Sequence, residues 1–411
     1  FNLWNTTMIG FCTSIDTLLA QSYGAAKYED FARWTGISLF IVFITSFVVA
    51  GLLALCEPMM VLLGQDPILS SAAGQFTFRL IPGIFPYYIF KVLVKHLQTQ
   101  NILAPGVVIG VMANVFNILW NWLFIYKLNI GLNGAPIATT LTRIVELILL
   151  LLYYFYVSRK QLNPLQQTWP KFEWKFVNRV TMSTFLRLSF SGALSFSAEA
   201  WSFELTTIFA GLLGTTELDA HLITLSIATF IYLSFPFAIG LATSINVGQL
   251  IGEGSPKDAK RSSLVSFVLT FVVQGILIGI VLPLSTALGN LFSSDDDVSE
   301  LVAQLLPLSC IFMMGDSCQS NAAGVMRGLG QQKLVFLLNI IGFWVLAIPI
   351  GALLTFVADI GVSGLWWGMT IGIYSSALLG LLLLTYKINW KSEADKAQNR
   401  ISVTEQEFNV L

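Results

Sequence analysis

The sequence predicts an all-α polytopic membrane protein built from two similar, parallel helical lobes. Three observations carry that prediction. Hydrophobic residues make up 55% of the 411 residues and charged ones only 11%, against roughly a quarter charged in soluble domains. Apolar stretches long enough for a bilayer core about 30 Å thick recur along the whole chain. Part of the sequence also repeats in order at a spacing of 230 residues.

The same composition excludes several classes. With 22 basic and 23 acidic residues there is no clustered basic surface for nucleic acid, and the apolar content rules out intrinsic disorder. Cys12, Cys56, Cys310 and Cys318 lie in or beside apolar segments without a CxxC pair, so they read as packing residues rather than a disulfide or zinc framework. His96 and His221 are the only histidines and fall in different halves, which leaves no paired metal site and no histidine-dependent dyad. The glycine-rich stretch Gly324 to Gly330 lacks the Lys-Ser/Thr of a phosphate loop. No metal, no cofactor and no enzymatic activity are expected.

A window of about 20 residues gives eleven spans, near 1–23, 34–56, 69–95, 104–126, 134–157, 184–213, 217–250, 262–290, 301–326, 334–357 and 364–386. The first, with Asn5, Thr6, Thr7, Asp16 and Gln21, is too polar to face lipid and belongs inside the bundle. Pro82, Pro86, Pro236, Pro283, Pro307 and Pro349 fall within later spans, where a membrane bundle tolerates them as kinks. Eighteen of the 22 basic residues, Arg327 and the tail lysines among them, fall in the loops of one side. By the positive-inside rule that side is cytosolic, and the tail with it.

A shift of 230 lays Gly10 to Gly24 on Gly240 to Gly254, and Ile130-Gly131 with Gly134 on Ile360-Gly361 with Gly364. A shift of 225 lays Leu80-Ile81-Pro82 on Leu305-Leu306-Pro307 and, carried further, Lys91 on Asp316. The expected organisation is an N-terminal lobe over 1–157, a linker over 158–183 with Pro164 and Pro170, a C-terminal lobe over 184–386 and a tail over 387–411. Residue 1 corresponds to residue 231, inside the second helix of the later lobe, so the first lobe is expected to lack one helix of a twelve-helix whole. Repeats in one orientation, related by an axis along the membrane normal, are a layout of transporters that rock between two openings.

Several stretches are specific. Ser14 to Ala25, Leu62 to Pro67, Phe78 to Phe85, Leu97 to Gln100, Glu199 to Gly214 and Gly315 to Gln332 resemble the eukaryotic branch of the multidrug and toxic compound extrusion (MATE) family, in order from residue 1 to about 386. The resemblance implies the MATE fold and an antiporter that expels organic cations or other amphipathic metabolites in exchange for protons, without ATP. It places the family's second-lobe acids on Glu204, with Glu199 on the earlier acid of the same motif, and on Asp316. It also marks a departure: the family commonly has Gln in the motif where this chain has Lys91.

Buried charges are costly in a bilayer, by at least about 2.5 to 3.5 kcal/mol each on insertion scales, so each needs a partner or a purpose. Glu204 and Asp316 sit near the middle of their spans, where a desolvated carboxyl can alternate between neutral and ionised forms at physiological pH. They are the expected proton-coupling and substrate-binding acids. Glu199 lies five residues before Glu204, about 140° round a helix, and its role stays open between coupling and structure. Arg143 and Glu146, spaced i, i+3, read as a neutralised structural pair, and Asp16 as a hydrogen-bonding group. Lys91 is a candidate selector of substrate charge, and Trp201, Phe203 and Gln98 are candidate cavity-lining residues. The expected partners are protons, the lipid bilayer and a small organic cation or amphipathic metabolite, with the protein a monomer in the plasma membrane or a vacuolar or endosomal membrane. Efflux of anionic metabolites is the alternative that Lys91 favours; a lipid flippase is a more distant one.

Overall fold

The computed structural model describes residues 2–62, 64–159 and 168–410. Residues 160–167, with Pro164 of the expected linker, lie outside the described residues, as do the side chains of Glu405 and Glu407 in the tail. Among the described residues every regular element is helical. Nine stretches among them, from Tyr28–Ala54 to Val362–Lys387, are long and apolar enough to cross a membrane. The other two expected spans are helical as well. One is the 35-residue helix Arg179–Leu213, which Glu199, Glu204 and many hydroxyl residues make more polar. The other is the N-terminal segment, split at Cys12 into α1 (Asn2–Phe11) and α2 (Thr13–Gly24). The all-α class read from the sequence is therefore present, with nine of the eleven expected spans long and apolar enough to cross a membrane among the described residues and the other two helical.

Three of the six prolines mark breaks rather than smooth kinks. Pro82 lies in the 3₁₀ turn Ile81–Gly83, Pro236 opens the helix that follows Phe235, and Pro283 sits between Pro256–Val281 and Ser285–Phe292. Pro86 and Pro349 fall in the first turns of Ile84–Gln98 and Ile348–Ala352, and Pro307 lies deep inside the continuous helix Asp296–Gly328. A proline has no N–H to give and crowds the preceding turn, so helix ends and first turns suit it best.

The first compact unit comprises Ala26–Met182 with Phe1–Trp4 and Thr404–Leu411. Its helices are α3 (Tyr28–Ala54), α4 (Cys56–Leu62), α5 (Pro67–Leu80), α6 (Ile84–Gln98), α7 (Ala104–Asn121) and α8 (Gly134–Arg159). Phe90, Leu93 and Leu97 of α6, at helical spacing on one face, bury against Ile109 of α7 and Leu150, Tyr154 and Val157 of α8. At the end of α6, His96 Nδ1 meets the Tyr154 hydroxyl at 2.6 Å and Nε2 the Thr168 carbonyl at 2.9 Å, which fastens the following segment to the helices.

The second unit comprises Asn5–Ala25 and Ser183–Val403. It holds α2, most of α9 (Arg179–Leu213), α10 (Thr215–Ser234), α11 (Pro236–Gly252), α12 (Pro256–Val281), α13 (Ser285–Phe292), α14 (Asp296–Gly328), α15 (Gln332–Asn339), α16 (Ile348–Ala352), α17 (Val362–Leu382) and most of α18 (Trp390–Val410). The central α14 is buried along most of its length. Small residues let backbones approach as they do in membrane bundles generally: a Cβ at Gly324 would collide with the backbone of Gly240, and one at Gly328 would meet the Ser244 carbonyl at 2.6 Å. Residues Asn5–Ala25, which the repeat assigns to the first lobe, sit in this unit because α2 crosses its own repeat counterpart α11. A Cβ at Gly24 would collide with the backbone of Gln249, and one at Gly252 with that of Gln21.

The repeat is also written into local backbone geometry. A π-helical stretch closes the span after α7 (Trp122–Lys127) and the span after α16 (Leu353–Val357). Leu128 N donates to Leu123 O and Ile130 N to Phe124 O, as Ala358 N does to Leu353 O and Ile360 N to Leu354 O, each at a shift of 230. Asn129 and Asp359 both take positive φ, 51° and 55°, followed by Gly131 and Gly361 at 67° and 66°. The ends of α6 and α14 match at a different shift. Asn101 N to Gln98 O corresponds to Gly330 N to Arg327 O, and Ile102 N to Leu97 O to Gln331 N to Met326 O, a shift of 229. That corrects the pairing of Lys91 with Asp316 expected from the prolines: four residues is one helical turn, so Asp316 corresponds to Tyr87 and Lys91 to Ser320.

Candidate functional site

In the second unit the ionisable groups converge on α14. Asp316 is buried, at 5% exposure, and interacts electrostatically with Glu199 of α9. Its Oδ1 is buried without a hydrogen-bond partner among the described residues. Glu199 is half-buried and held from the side by Asn339, whose Nδ2 donates to Glu199 Oε2 at 3.3 Å and to the Ser195 carbonyl at 3.0 Å. Asn339 Oδ1 in turn accepts from Gln319 Nε2 at 2.6 Å, so one buried asparagine ties α9 to α14. Trp344 Nε1 donates to the Ala198 carbonyl at 2.9 Å and fixes the same stretch of α9.

Two further groups complete the cluster. The Tyr232 hydroxyl of α10 donates to Ser320 Oγ at 3.2 Å, one turn from Asp316, and lies within electrostatic reach of Glu199, Asp316 and Arg327. Arg327 is 7% exposed, with its guanidinium 5.6 Å from the centroid of the Phe196 ring. It interacts electrostatically with Glu199, Tyr232 and Asp16. Arg327 is therefore not a loop cation, as its place in the charge count suggested, but a buried one beside the acids. The last turn of α14 carries it inward, and the Arg327 carbonyl accepts from Thr17 Oγ1 at 2.6 Å.

The sequence-selected residues separate accordingly. Asp316 and Glu199 are brought together; Glu204, 140° further round α9, is exposed. Phe203 packs against Phe312 and Phe343, with centroids 6.0 and 5.9 Å away, whereas Trp201 is 41% exposed. Gln98 is half-buried at the end of α6. No sequence motif marks Tyr232 or Asn339, and the charge count places Arg327 in a loop. His221 meets Thr207 at 3.3 Å and lies tilted against Trp366 with ring centroids 5.8 Å apart, and no group that could hold a metal occurs among the described residues.

The first unit holds a second cluster, of opposite sign. Lys91 Nζ lies 5.1 Å and the Arg143 guanidinium 4.5 Å from the centroid of the Tyr87 ring. Glu146 interacts with both cations, and Tyr87 and Tyr88 with Arg143. Arg143 reaches the ring because Gly83 leaves it room: a Cβ there would stand 3.2 Å from Arg143 Cδ. The expected Arg143 and Glu146 pair thus includes a third charge, Lys91.

Chemically, the acid cluster offers one buried and one half-buried carboxyl, one permanently charged arginine, and hydroxyl and amide donors. A buried carboxylate oxygen with no internal donor is costly unless a proton or a cation meets it. The residues that form this arrangement lie in regions shared with known proteins. The MatE family profile matches residues 1–123 and 192–353. Multidrug and toxin extrusion protein 1 of Oryctolagus cuniculus is 30% identical over 96% of this chain and 68% of its own length, and that of Xenopus tropicalis 31% identical over 96% and 67%. Among solved structures, the eukaryotic MATE transporter AtDTX14 is similar with a TM-score of 0.87 at 27% identity, covering 96% of this chain and 87% of that one. An outward-facing multidrug resistance MATE family transporter shares the fold at a TM-score of 0.84 and 17% identity, over 98% and 88% of the two chains. The resemblance read from the motifs is borne out.

Proposed function

The chain belongs to the MatE family, and we propose on that premise that it is a secondary active antiporter which expels organic cations or amphipathic metabolites in exchange for protons. Membership makes it a multi-pass membrane efflux transporter; the coupling ion and the substrate are our reading. One observation supports that reading above the others, the association of Glu199 with Asp316 and its unpartnered Oδ1. Arg327 balances one negative charge at all times, since a guanidinium stays protonated. The second carboxyl is then free to hold either a proton or a cation. Proton uptake from one side releases the cation, and proton loss to the other restores the site, so the two ligands compete for one charge. Asn339 positions Glu199 through its hydrogen bond, and Tyr232, held by Ser320, faces both acids electrostatically, neither acting by exchange.

Within this reading the two sequence repeats, 1–157 and 184–386, are the halves that open alternately, joined by 158–183. The basic loops support a cytosolic tail over 387–411, the chain acts as a monomer, and the membrane is the plasma membrane or that of an acidic compartment. Export of anionic metabolites is the second reading, favoured by the Lys91 and Arg143 cluster. The deciding measurement is transport by the full chain in proteoliposomes under an imposed pH gradient, with a cationic dye and an organic acid in parallel. Gradient-dependent movement of the dye is expected; movement that ignores the gradient would end the proton-coupled reading.

A further inference from the structure

We propose that His221, Thr224 and Trp366 of the second unit hold a file of water through which protons reach Asp316 from the outer side, opposite the basic loops. This names a route for the proton of the coupled reading. It rests on that reading for the direction of flow, not for the presence of water.

His221 Nδ1, Thr224 Oγ1 and Trp366 Nε1 are buried without a hydrogen-bond partner among the described residues, on side chains 3, 0 and 2% exposed. The His221 and Trp366 ring centroids are 5.8 Å apart, and Thr224 follows His221 by one turn on the same face of α10. Hydrogen bonds around the neutral His221 ring fix its tautomer. Thr207 Oγ1 gives its only proton to the Phe203 carbonyl at 2.9 Å, so it accepts from His221 Nε2 at 3.3 Å. Nδ1 is then a bare acceptor, Trp366 Nε1 is a donor, and the Thr224 hydroxyl can act either way. These are the partners a buried water needs, and leaving them all unmet inside a bilayer would be costly.

Helical register leads from this pocket to Asp316. The spans that contain α10 and α14 are separated by one other, so they run in the same direction, and Tyr232 meets Ser320 at 3.2 Å. One turn back on each helix sets Ala228 level with Asp316, and a further turn sets Thr224 level with Phe312. Trp366 and Phe203 both lie against Phe312, with centroids 5.8 and 6.0 Å away. His221 stands a turn further out, and the half-buried Glu217 a turn beyond it on the same face of α10. Glu217, His221 and Thr224 thus form a polar row from the outer end of α10 toward Asp316, whose Oδ1 is also unpartnered. Of the other charged groups on the helices packed here, Glu204 of α9 and Asp219 of α10 are exposed. Between Glu300 and Arg327, α14 has only Asp316, and α17 has none. Transfer along the file is a series of hops in which each water gives one proton and takes another. The outer solution loses one proton, the waters are restored, and Asp316 becomes neutral. His221 is a positioning residue whose Nδ1 anchors the file.

The first test is solid-state NMR of the full chain in lipid with isotope-labelled histidine, read as magnetisation transfer from water to the imidazole rings. His96, whose ring nitrogens meet Tyr154 and Thr168 at 2.6 and 2.9 Å, is the internal control. Transfer to His221 well above that to His96 is expected; a His221 ring as dry as His96 would overturn the proposal. The second test is cationic dye transport by the full chain in proteoliposomes under an imposed pH gradient. His221→Phe should lower the maximal rate by about tenfold, the worth of one hydrogen-bonded anchor, with the half-saturating dye concentration unchanged. His221→Asn, which keeps an acceptor near Nδ1 but does not titrate, should retain most of the rate; no rescue by it would end the positioning role. If His221→Phe melts below the parent, Thr224→Val, which keeps the volume and loses the hydroxyl, reads the same slowing. Gradient-independent transport by the parent chain would defeat the coupled reading and its route together. Gradient-driven transport at the parental rate in a folded His221→Phe or in Thr224→Val would defeat the route alone.

Discussion

The two charged clusters occupy corresponding places in the repeat and differ in sign. At the shift of 229 that matches the ends of α6 and α14, Tyr87 corresponds to Asp316, Lys91 to Ser320 and Gln98 to Arg327. In one unit a tyrosine ring is flanked by two cations and one acid. In the other an aspartate stands with a second acid, a tyrosine and an arginine. Backbone geometry has been kept through the duplication, down to individual hydrogen bonds, while the ionisable residues have been redistributed over it. A fixed helical frame offers the same inward positions twice, and the side chains placed there decide what each can bind.

The comparison is broken most sharply at Asp316. Asp316→Asn keeps volume and one hydrogen-bonding oxygen while removing the charge, so the protein should insert and melt no lower than the parent. Proton-driven transport in proteoliposomes should nevertheless fall to background. Glu199→Gln should match it. The double variant should be no worse than either single, because residues acting as one unit are not additive. Near-parental, gradient-dependent transport by Asp316→Asn would make the acid structural.

A smaller effect is expected one shell outward. Asn339→Ala removes the donor to Glu199 Oε2 and the acceptor for Gln319 Nε2. Leaving buried polar groups unmet costs about 1 to 3 kcal/mol. Transport and thermal stability should therefore both drop, and Asn339→Asp, which sets a buried carboxylate oxygen against Glu199 and the Ser195 carbonyl, should lower both as well. Glu204→Gln should alter transport less than Glu199→Gln. A reversed order would mean that the exposed acid carries the coupling after all.

That last comparison shows where the sequence is legible and where it is not. Apolar spans are readable because each must match the bilayer by itself, and the acids stand out because charge inside a span is rare. Choosing Glu199 over Glu204 needed the rotation of α9 about its axis, which is set by Asn339 and Trp344 on other helices. Arg327 looked like a loop cation because its place at a helix end says nothing about the burial that α2, α9 and α10 impose. The shift of 229 was hidden by Pro82 and Pro307, which align by residue type but sit in a 3₁₀ turn in one case and inside a helix in the other. The π-helical stretches had no visible period of their own, yet they recur at the repeat spacing.

The finest test of the duplication lies in the backbone. Gly131 and Gly361 have φ of 67° and 66°, and neither has a heavy atom within 4 Å of where a Cβ would stand. Alanine at either position therefore meets no clash but must take a positive φ and, at Gly361, where ψ is −152°, a region that essentially only glycine adopts, at a cost of about 1 to 3 kcal/mol. Gly110 in α7 and Gly275 in α12 are equally open but helical, where Gly→Ala should be neutral or stabilising by up to about 1 kcal/mol. Thermal melting of the four single variants should split by sign, with Gly131→Ala and Gly361→Ala lowered by similar amounts and Gly110→Ala and Gly275→Ala unchanged or raised. Equal losses at the first two would mean that the duplicated turns are equivalent in energy as well as in shape. If only one of the two were sensitive, the matching hydrogen bonds would be a likeness of form alone, and the turn that tolerated alanine would be the one free to change conformation.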